Sequence, residues 1–399
     1  MKKSVSQSVF VPFGISGFII LSTLAGGRSQ GIVRPQAGGW KTIMGEPQNP
    51  APIDAFLRKT LGESRASALS VAVVRGADIV FHRTMGYVDK KSQRPVDERT
   101  VFRTASLSKP VFAYLAMKLV DEGYLELDRA VHQYLKRPLH EYAAYTDLKG
   151  DERYKLLTIR LLLSHQGGFP NWRFVNPDRR LDFKFTPGAM FKYSGEGYRL
   201  MQFILEELTG RDLNSLAGDK VFRPLGMADT SFLWEKRFNG NFAVNLETEL
   251  RPLIERTRTS ANAAASLLTN SADYAKFLLA VMNGTGLKPA TLKMMLEPQV
   301  GITSRSLHAP QGTDPRIQET LHLAWAMGWG RFRCPQGEAA FHIGFEEGCD
   351  NYVVVFLDRK MGLVLQSVIP DVEGIAPAVA KELIGDVYSP FSWLQYQLP

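Results

Sequence analysis

A serine and a lysine three residues apart, Ser106 and Lys109, are the side chains best suited to covalent chemistry. They stand at the start of an apolar-periodic run, residues 111–119, whose three- and four-residue spacing predicts a helix. One helical turn apart, the two side chains share one side of the helix start. There a lysine of lowered pKa can take the proton of a serine hydroxyl, and the helix N-terminus favours an oxyanion. A serine that only caps the helix, beside a solvated lysine, is the alternative interpretation.

The elements that must position this pair follow from the apolar patterns on either side of it. Apolar periodicity predicts helices over residues 53–61, 111–123, 157–163, 199–208, 213–221, 272–282 (capped by Ser271) and 376–383. Runs of apolar residues bounded by turn signals predict strands over residues 68–74, 78–86, 325–332, 339–343, 351–357 and 361–368. Strands at both ends of the chain, with helices between them, predict an α+β fold. Its antiparallel sheet is built from both chain termini and flanked by helices, with a mostly helical inserted subdomain.

The N-terminus has the layout of a secretory signal peptide, with Lys2 and Lys3, an apolar run and a small-residue exit. We therefore predict a signal peptide over residues 1–27 and export to the periplasm or medium; an uncleaved membrane anchor is the alternative. Residues 28–52 are rich in Gly, Pro and Gln and predict a linker, with an extended lead-in to the domain as the alternative. Residues 53–399 then form the main domain, with a sheet part over about 53–105 and 320–399 and a helical part over about 106–319.

The composition excludes several classes of protein. The chain has 399 residues, 45% of them hydrophobic, which is enough for a large core. Its formal net charge of +8 is dispersed, without the basic, aromatic-interleaved block of a nucleic-acid surface, so we predict no nucleic-acid partner. The two cysteines, Cys334 and Cys349, imply no metal site, and their pairing stays open; we predict no cofactor.

Two further short motifs lie in the order and places of one family's motifs. With Ser106-Leu107-Ser108-Lys109, the segments Tyr193-Ser194-Gly195 and His342-Ile343-Gly344 resemble the three motifs of the penicillin-recognising serine hydrolases. The similar branch includes class C β-lactamases, D-alanyl-D-alanine peptidases and related serine esterases, and the resemblance spans residues 54–368. It implies the β-lactamase/transpeptidase-like fold.

The resemblance also implies roles for these residues. Ser106 would be the acylated nucleophile, Lys109 its base, and Tyr193 a partner whose pKa is lowered by two neighbouring cations. His342 stands where relatives carry a lysine and would supply part of a positive charge, or would be a core histidine. The backbone amides of Ser106 and Phe345 would form the oxyanion hole, and Gly344 would admit substrate to the strand edge.

Departures from the family pattern bear on the substrate. Gly195 replaces an asparagine that would bind an acyl-amide group, and Ile343 replaces a threonine that would bind a substrate carboxylate. Both changes weaken β-lactam or peptide binding and leave the Ser106 machinery intact. Glu196 would restore some polarity to the substrate site, and Trp172 would line the cleft or pack in the core.

These residues predict an exported serine hydrolase that acts through an acyl-Ser106 intermediate on a small-molecule ester, acyl or peptide-like substrate. A D-alanyl-D-alanine carboxypeptidase or β-lactamase is the second enzymatic hypothesis. A penicillin-binding sensor or scaffold that is acylated without turnover is the non-enzymatic one. Any membrane contact would come from the N-terminal segment, and the oligomeric state is left open.

Overall fold

In the computed structural model, most strands lie towards the two ends of the chain and most helices in its middle, as the sequence patterns predict. The structure describes residues 39–89, 93–244, 260–369 and 374–396. Their strands are β1 (Trp40–Lys41), β2 (Pro47–Gln48), β3 (Ala68–Arg75), β4 (Asp78–Gly86), β5 (Phe102–Arg103), β6 (Leu268–Thr269), β7 (Val300–Gly301), β8 (Ala324–Trp325), β9 (Gly330–Cys334), β10 (Gly337–Glu346), β11 (Cys349–Phe356) and β12 (Met361–Val368). Their α-helices are α1 (Pro50–Glu63), α2 (Ser108–Asp121), α3 (Ile159–Leu163), α4 (Gly195–Thr209), α5 (Leu213–Ala217), α6 (Arg223–Leu225), α7 (Ser271–Asn283), α8 (Pro289–Leu296), α9 (Arg316–Leu321) and α10 (Ala376–Ile384).

Eight strands form the main sheet, in the order β4-β3-β12-β11-β10-β9-β8-β7. Every neighbouring pair is antiparallel, and β3 from the N-terminal part pairs with β12 near the C-terminus, Ala68 opposite Val368. The sheet is therefore built from both ends of the chain, which confirms the predicted α+β fold.

The sheet is buried on both faces. Val353 and Val355 of β11 face a core that contains the apolar sides of α2, α4 and α7. Tyr352 and Val354, one residue out of phase, face a second core formed with α1, α10 and the C-terminal segment around Trp393. The alternation follows from the two-residue side-chain period of a strand. It puts the Ser106 helix on one face and the C-terminal segment on the other.

One predicted helix cap is wrong. Ser271 is the first residue of α7, and Asn270 is the cap, because its side chain accepts the backbone N–H of Asp273 at 2.8 Å. The Ser271 hydroxyl instead bonds the Ser70 hydroxyl of β3 at 2.6 Å, which ties the helix to the sheet. The role of Ser271 is therefore set by its contact with β3, which the local sequence does not show.

The C-terminal part of the predicted linker is folded onto the domain, so the prediction of a linker is wrong there. β1 pairs with β2, Trp40 is buried against Phe81 with ring centroids 5.0 Å apart, and its Nε1 donates to the Leu383 carbonyl of α10 at 2.8 Å. Residues 1–38, which include the predicted signal peptide, lie outside the described residues.

None of the helices in the described ranges combines the length and apolar character that crossing a bilayer requires. Cys334 and Cys349 are free thiols, so they do not form the disulfide that the sequence left open.

Candidate active site

Ser106 and Lys109 are hydrogen-bonded to each other. Lys109 Nζ lies 2.9 Å from Ser106 Oγ and donates a second bond to the Ala264 carbonyl at 2.8 Å. Ser106 lies in a 3₁₀ turn, Ala105–Leu107, that leads directly into α2. The structure therefore brings the predicted nucleophile and base together at a helix start.

Burial prepares Lys109 to act as a base. The side chain is inaccessible to solvent, and within the described residues no carboxylate forms an ion pair with it. Desolvation lowers its pKa from 10.5 to about 7, and the negative charge of Glu346 opposes this only in part. Near neutral pH a large fraction of Lys109 is thus unprotonated and able to accept the Ser106 proton.

The turn that carries Ser106 is held by hydrogen bonds from a distant segment. Thr104 Oγ1 donates to the Leu267 carbonyl at 2.7 Å, and Ser108 Oγ accepts the Leu267 N–H at 2.9 Å. Ala105, the residue before the nucleophile, has φ of +44°, a conformation that non-glycine residues rarely adopt. Such strain persists only where surrounding contacts enforce it, and it is typical of functional sites.

Tyr193 lies over the amine of Lys109, with Nζ 4.7 Å from the ring centroid. The expected lowering of its pKa is wrong for the free protein: burial raises the pKa of the phenol, and the nearby Ser106 hydroxyl opposes this weakly. The phenol oxygen is buried and does not reach hydrogen-bonding geometry with any described residue. Tyr193 is therefore a neutral phenol that can donate a proton, with an unsatisfied oxygen next to the reacting pair.

His342 is buried behind this pair and is uncharged near neutral pH. Desolvation and the proximity of Lys109 lower its pKa to about 3, and its Nδ1 lies 2.6 Å from the Ile343 carbonyl. The predicted partial positive charge is therefore wrong. The imidazole Nε2 makes no hydrogen bond to the described residues, and the ring centroid is 6.1 Å from that of Tyr193.

His165 positions the tyrosine segment. Its Nδ1 accepts the Ser194 N–H at 3.1 Å, and its carbonyl accepts the Lys192 N–H at 2.9 Å. The ring packs on Tyr193, with centroids 4.3 Å apart. Desolvation lowers its pKa well below the usual range, so the ring is neutral. These contacts give His165 a structural role in the site.

Gly344 serves close packing of β10 against the nucleophile turn. A Cβ at this position would lie 2.1 Å from the Thr104 carbonyl oxygen and 3.2 Å from the Leu107 nitrogen. This is a different contact from the predicted approach of substrate. The next residue, Phe345, lines the same cavity as Ser106. The oxyanion hole of these two backbone amides stays a prediction.

Gly195 makes room for Trp172. A Cβ on residue 195 would lie 2.6–2.8 Å from three atoms of the Trp172 ring, which is closer than real contacts allow. The indole also stacks on Phe174, with centroids 6.0 Å apart and planes 10° apart. The place that an asparagine side chain would take in the similar family is thus occupied by an aromatic ring.

Glu196 is not part of the substrate site. It is 1% exposed, and its carboxylate accepts three bonds from Arg173, from the backbone N–H at 3.0 Å, Nε at 3.1 Å and Nη2 at 2.9 Å. The predicted role in substrate binding is wrong, because the buried carboxylate is already satisfied by this ion pair. The ion pair of Glu196 with Arg173 connects the start of α4 to the segment that contains Trp172.

A cavity of about 490 Å³ opens over Ser106. Of the predicted site residues, those that line it are Ser106, Trp172, Tyr193, Ile343 and Phe345. The predicted site residues that do not line it are Lys109, Gly195, Glu196, His342 and Gly344. Trp172 thus lines the cavity, and its contact with a substrate stays a prediction.

Several residues of the site were not found from the sequence. Ala264 contributes only a carbonyl, for which a sequence holds no signal. Asn351 donates to the Arg103 carbonyl at 3.1 Å and to the Gly344 carbonyl at 2.7 Å, and so joins β10 to the segment before Ser106. A buried amide in the apolar strand β11 was a usable signal. Asp350 and Tyr396 line the cavity from the other side.

Comparison with protein families and curated proteins points to one group. The family described as Beta-lactamase matches residues 53–376. Penicillin-binding protein 4* of Bacillus subtilis (strain 168) is 29% identical over 193 residues, covering 44% of this chain and 40% of that protein. Esterase EstB of Burkholderia gladioli is 28% identical over 209 residues, covering 46% of this chain and 51% of that protein. The chain thus spans about half the length of these curated relatives.

Solved structures share the fold. EstCE1, described as a hydrolase with promiscuous acyltransferase activity, superposes with a TM-score of 0.67 and 18% identity, covering 84% of this chain and 97% of its own. A class C beta-lactamase superposes with a TM-score of 0.66 and 17% identity, covering 84% of this chain and 95% of its own. At such identities the likeness concerns the fold alone.

Proposed function

We propose that this chain, which belongs to the beta-lactamase family, is a serine hydrolase that cleaves small carboxylic esters through an acyl intermediate on Ser106. The hydrogen bond between Lys109 and Ser106, with a lysine pKa of about 7, supports the catalytic part of this proposal. The Trp172 ring, which occupies the space next to Gly195, is the observation that favours an ester substrate over a β-lactam or a peptide.

Acylation uses groups that already surround the serine. Neutral Lys109 takes the Ser106 proton as Oγ bonds to the ester carbonyl carbon, and the oxyanion forms next to the Ser106 and Phe345 amides. The ester C–O bond then breaks, and the departing alkoxide receives a proton from Tyr193, which Lys109 reprotonates. Water attacks the acyl carbon by the same path in reverse, and Ser106 Oγ leaves with a proton.

Trp172 opposes substrates that carry an amide beside the scissile bond. An amide buried against the indole loses its hydrogen bonds to water and finds no asparagine in their place, which costs roughly 1–3 kcal/mol. An apolar acyl chain gains by the same contact, because it buries its surface against an aromatic ring. EstB, a similar protein, is named an esterase, whereas penicillin-binding protein 4* is the relative that supports the second hypothesis.

The charges of the cavity oppose a substrate carboxylate. None of the described residues that line it is a lysine or an arginine, whereas Glu346 and Asp350 both line it. Ile343 offers no hydroxyl. A penicillin or a peptide with a free C-terminus would bring its carboxylate close to these acids without a cation to pair it.

We also propose that the protein is exported. The charged start, apolar run and small-residue exit of residues 1–27 support this, and their fate in the cell is open to direct measurement. Mass spectrometry of the chain recovered from the periplasm or medium would give the mature N-terminus. Recovery of full-length chain from the cytoplasm alone would refute export.

The proposed function is tested by incubating the purified chain with a short p-nitrophenyl ester, and separately with a labelled penicillin. Turnover and intact mass are followed together. We expect steady ester turnover and no lasting penicillin adduct. Ser106→Ala should lower ester kcat/KM by at least about a thousandfold, because the nucleophile is lost. A fluorophosphonate probe should label the parent chain and not this variant.

The controls separate function from folding. Ser106→Ala should keep the far-UV spectrum and melting temperature of the parent, since it removes one partly buried hydroxyl. Ester turnover that survives the substitution would refute the assignment of Ser106. A stable penicillin adduct on Ser106 would transfer the protein to the peptidase or sensor hypothesis.

A further inference from the structure

The cavity above Ser106 contains a buried carboxyl group that the proposed chemistry does not use. Asp350 lies near the start of β11, opposite Phe345 of β10, and is 2% exposed. It lines the same cavity as Ser106 and Tyr193. Asp350 therefore belongs to the wall of the cavity in which a substrate of Ser106 would bind.

Only one of the two Asp350 oxygens is satisfied. Oδ1 accepts a hydrogen bond from the Tyr396 hydroxyl at 2.6 Å. Oδ2 is buried and makes no hydrogen bond to any residue that the structure describes. A buried oxygen without a partner is costly, and such a group in a cavity wall is typical of a site that a ligand completes.

The nearby charges leave Asp350 uncompensated. Glu346, the other acid of the cavity, is paired with Arg103, and Arg103 is itself buried. The imidazole of His308 also lines the cavity, but burial and the nearby Lys109 and Lys192 lower its pKa, so it is neutral. Among the described residues, the lining of the cavity thus includes two carboxyl groups, of which Glu346 is paired with Arg103.

Asp350 is ionised under mildly alkaline conditions. Burial raises its pKa to about 6, and the hydrogen bond from Tyr396 opposes this rise. At pH 8 the group is therefore a carboxylate in a poorly solvated place. A positive charge brought into the cavity would lower the cost of that ionisation, because two opposite charges attract more strongly where water is scarce.

We propose that Asp350 selects substrates that carry an ammonium group, so that amine-bearing esters are preferred to esters with an uncharged or carboxylate end. This inference rests on the proposed ester hydrolysis and names its substrate class. Ser106 and Asp350 line one cavity, so an ester held at Ser106 presents its far end to the carboxylate. A terminal carboxylate at that place meets Asp350 and Glu346 and is repelled.

The test uses three p-nitrophenyl esters whose acyl chains have equal length and end in a methyl, an ammonium or a carboxylate group. A second set consists of thioesters that carry the same three end groups on the thiol, so that the end group is tested on either side of the scissile bond. At pH 8 we expect kcat/KM for the ammonium ester of one set to exceed that of its methyl counterpart by roughly tenfold, as a charged hydrogen bond would give. The carboxylate ester should be the poorest of the three.

Asp350→Asn keeps the size of the side chain and an acceptor for Tyr396, and removes the charge. It should bring the ratio of ammonium to methyl turnover close to one. Glu347→Gln is the matched control, because it removes a charge from an exposed residue of the same segment that does not line the cavity. That control should keep the parent ratio, and a ratio lost equally in both variants would overturn the role of Asp350.

The outcomes separate the two proposals. If the parent chain turns over none of the esters, the proposed function fails. If it turns over all three ends at equal rates in both sets, or prefers the carboxylate, ester hydrolysis stands and the ammonium selection is refuted. These comparisons within the parent chain hold even if Asp350→Asn does not fold.

Discussion

At the scale of single residues, the chemistry depends on a lysine that the fold keeps away from water and from carboxylates. Lys109 has two hydrogen-bond partners, the Ser106 hydroxyl and the Ala264 carbonyl, and neither carries a charge. The desolvated ammonium is therefore destabilised relative to the amine, and its pKa falls to about 7. A basic group near neutrality is the form that accepts a proton efficiently.

The first prediction concerns the pH dependence of turnover. Only the unprotonated amine of Lys109 accepts the serine proton, so kcat/KM for an uncharged ester should rise with pH through a midpoint near 7 and then level off. Initial rates between pH 5 and 9 on an ester with a methyl end give this profile. A flat profile would contradict Lys109 as the base. Lys109→Arg, which cannot lose its proton at these pH values, should lower kcat/KM by about a thousandfold or more.

The sequence shows the identity of the reacting residues better than their electrostatics. The three-residue spacing of Ser106 and Lys109, before an apolar helix, was enough to predict their contact. The pKa of Tyr193 depends on how completely the folded chain buries its side chain. The ion pair of Glu196 with Arg173 joins residues 23 positions apart, a separation that no helix or strand pattern predicts. Such tertiary partners are not visible in a local pattern.

At the scale of elements, the start of α4 and the preceding loop determine the shape of the cavity together. Ser194 caps α4 by accepting the Gly197 N–H at 3.0 Å, and its hydroxyl donates to the Pro170 carbonyl at 2.8 Å. The loop that continues from Pro170 brings Trp172 over Gly195. The absence of a side chain at Gly195 is evident from the sequence, but the ring that takes its place is not.

The second prediction tests this pairing by a double-mutant cycle. Gly195→Asn should lower the free energy of unfolding by about 1–3 kcal/mol, because the new side chain overlaps the Trp172 ring. Combined with Trp172→Ala, the same asparagine gains space, so the double variant should be more stable than the sum of the single effects by about 1 kcal/mol or more. Urea unfolding of the four chains measures this coupling.

The activity of the same variants adds a second readout. The double variant has an amide where the parent chain has an indole, and we expect it to gain a measurable penicillin adduct. Gly62→Ala, in α1 with open space around residue 62, is the control for replacing a helical glycine and should not destabilise. Additive stabilities would contradict a direct contact between residues 172 and 195.

At the scale of the whole molecule, the catalytic cavity lies between parts that are far apart in the sequence. Its lining comes from the turn of Ser106 and the loop of Trp172, and also from β10, β11 and residues 394–396. Alternating apolar residues predicted most of the strands and the use of both chain ends. They did not predict the pairing of β3 with β12, which places Ala68 opposite Val368. They also did not predict the C-terminal wall, because its contacts, such as that of Tyr396 with Asp350, join segments 46 residues apart and follow no local pattern.

The third prediction concerns that C-terminal wall. Trp393 is 1% exposed, packs edge-on against Phe341 of β10, and donates from Nε1 to the Ser304 carbonyl at 3.0 Å. Trp393→Ala should lower the free energy of unfolding by about 3–5 kcal/mol through the cavity it leaves. The neighbouring residues 394–396 lose their support, so KM for an ester should rise more than kcat falls. The Ser106–Lys109 pair keeps its own anchors near residue 264.

Trp393→Phe provides the matched comparison, because it keeps an aromatic ring and removes only the bond to Ser304. It should cost about 1 kcal/mol and leave KM nearly unchanged. Denaturant unfolding and steady-state kinetics at a temperature where every variant is folded give both quantities. If Trp393→Ala instead lowered kcat and left KM unchanged, the C-terminal segment would act on the reacting groups. In that case the C-terminal residues would contribute to the chemical step and not only to the binding of substrate.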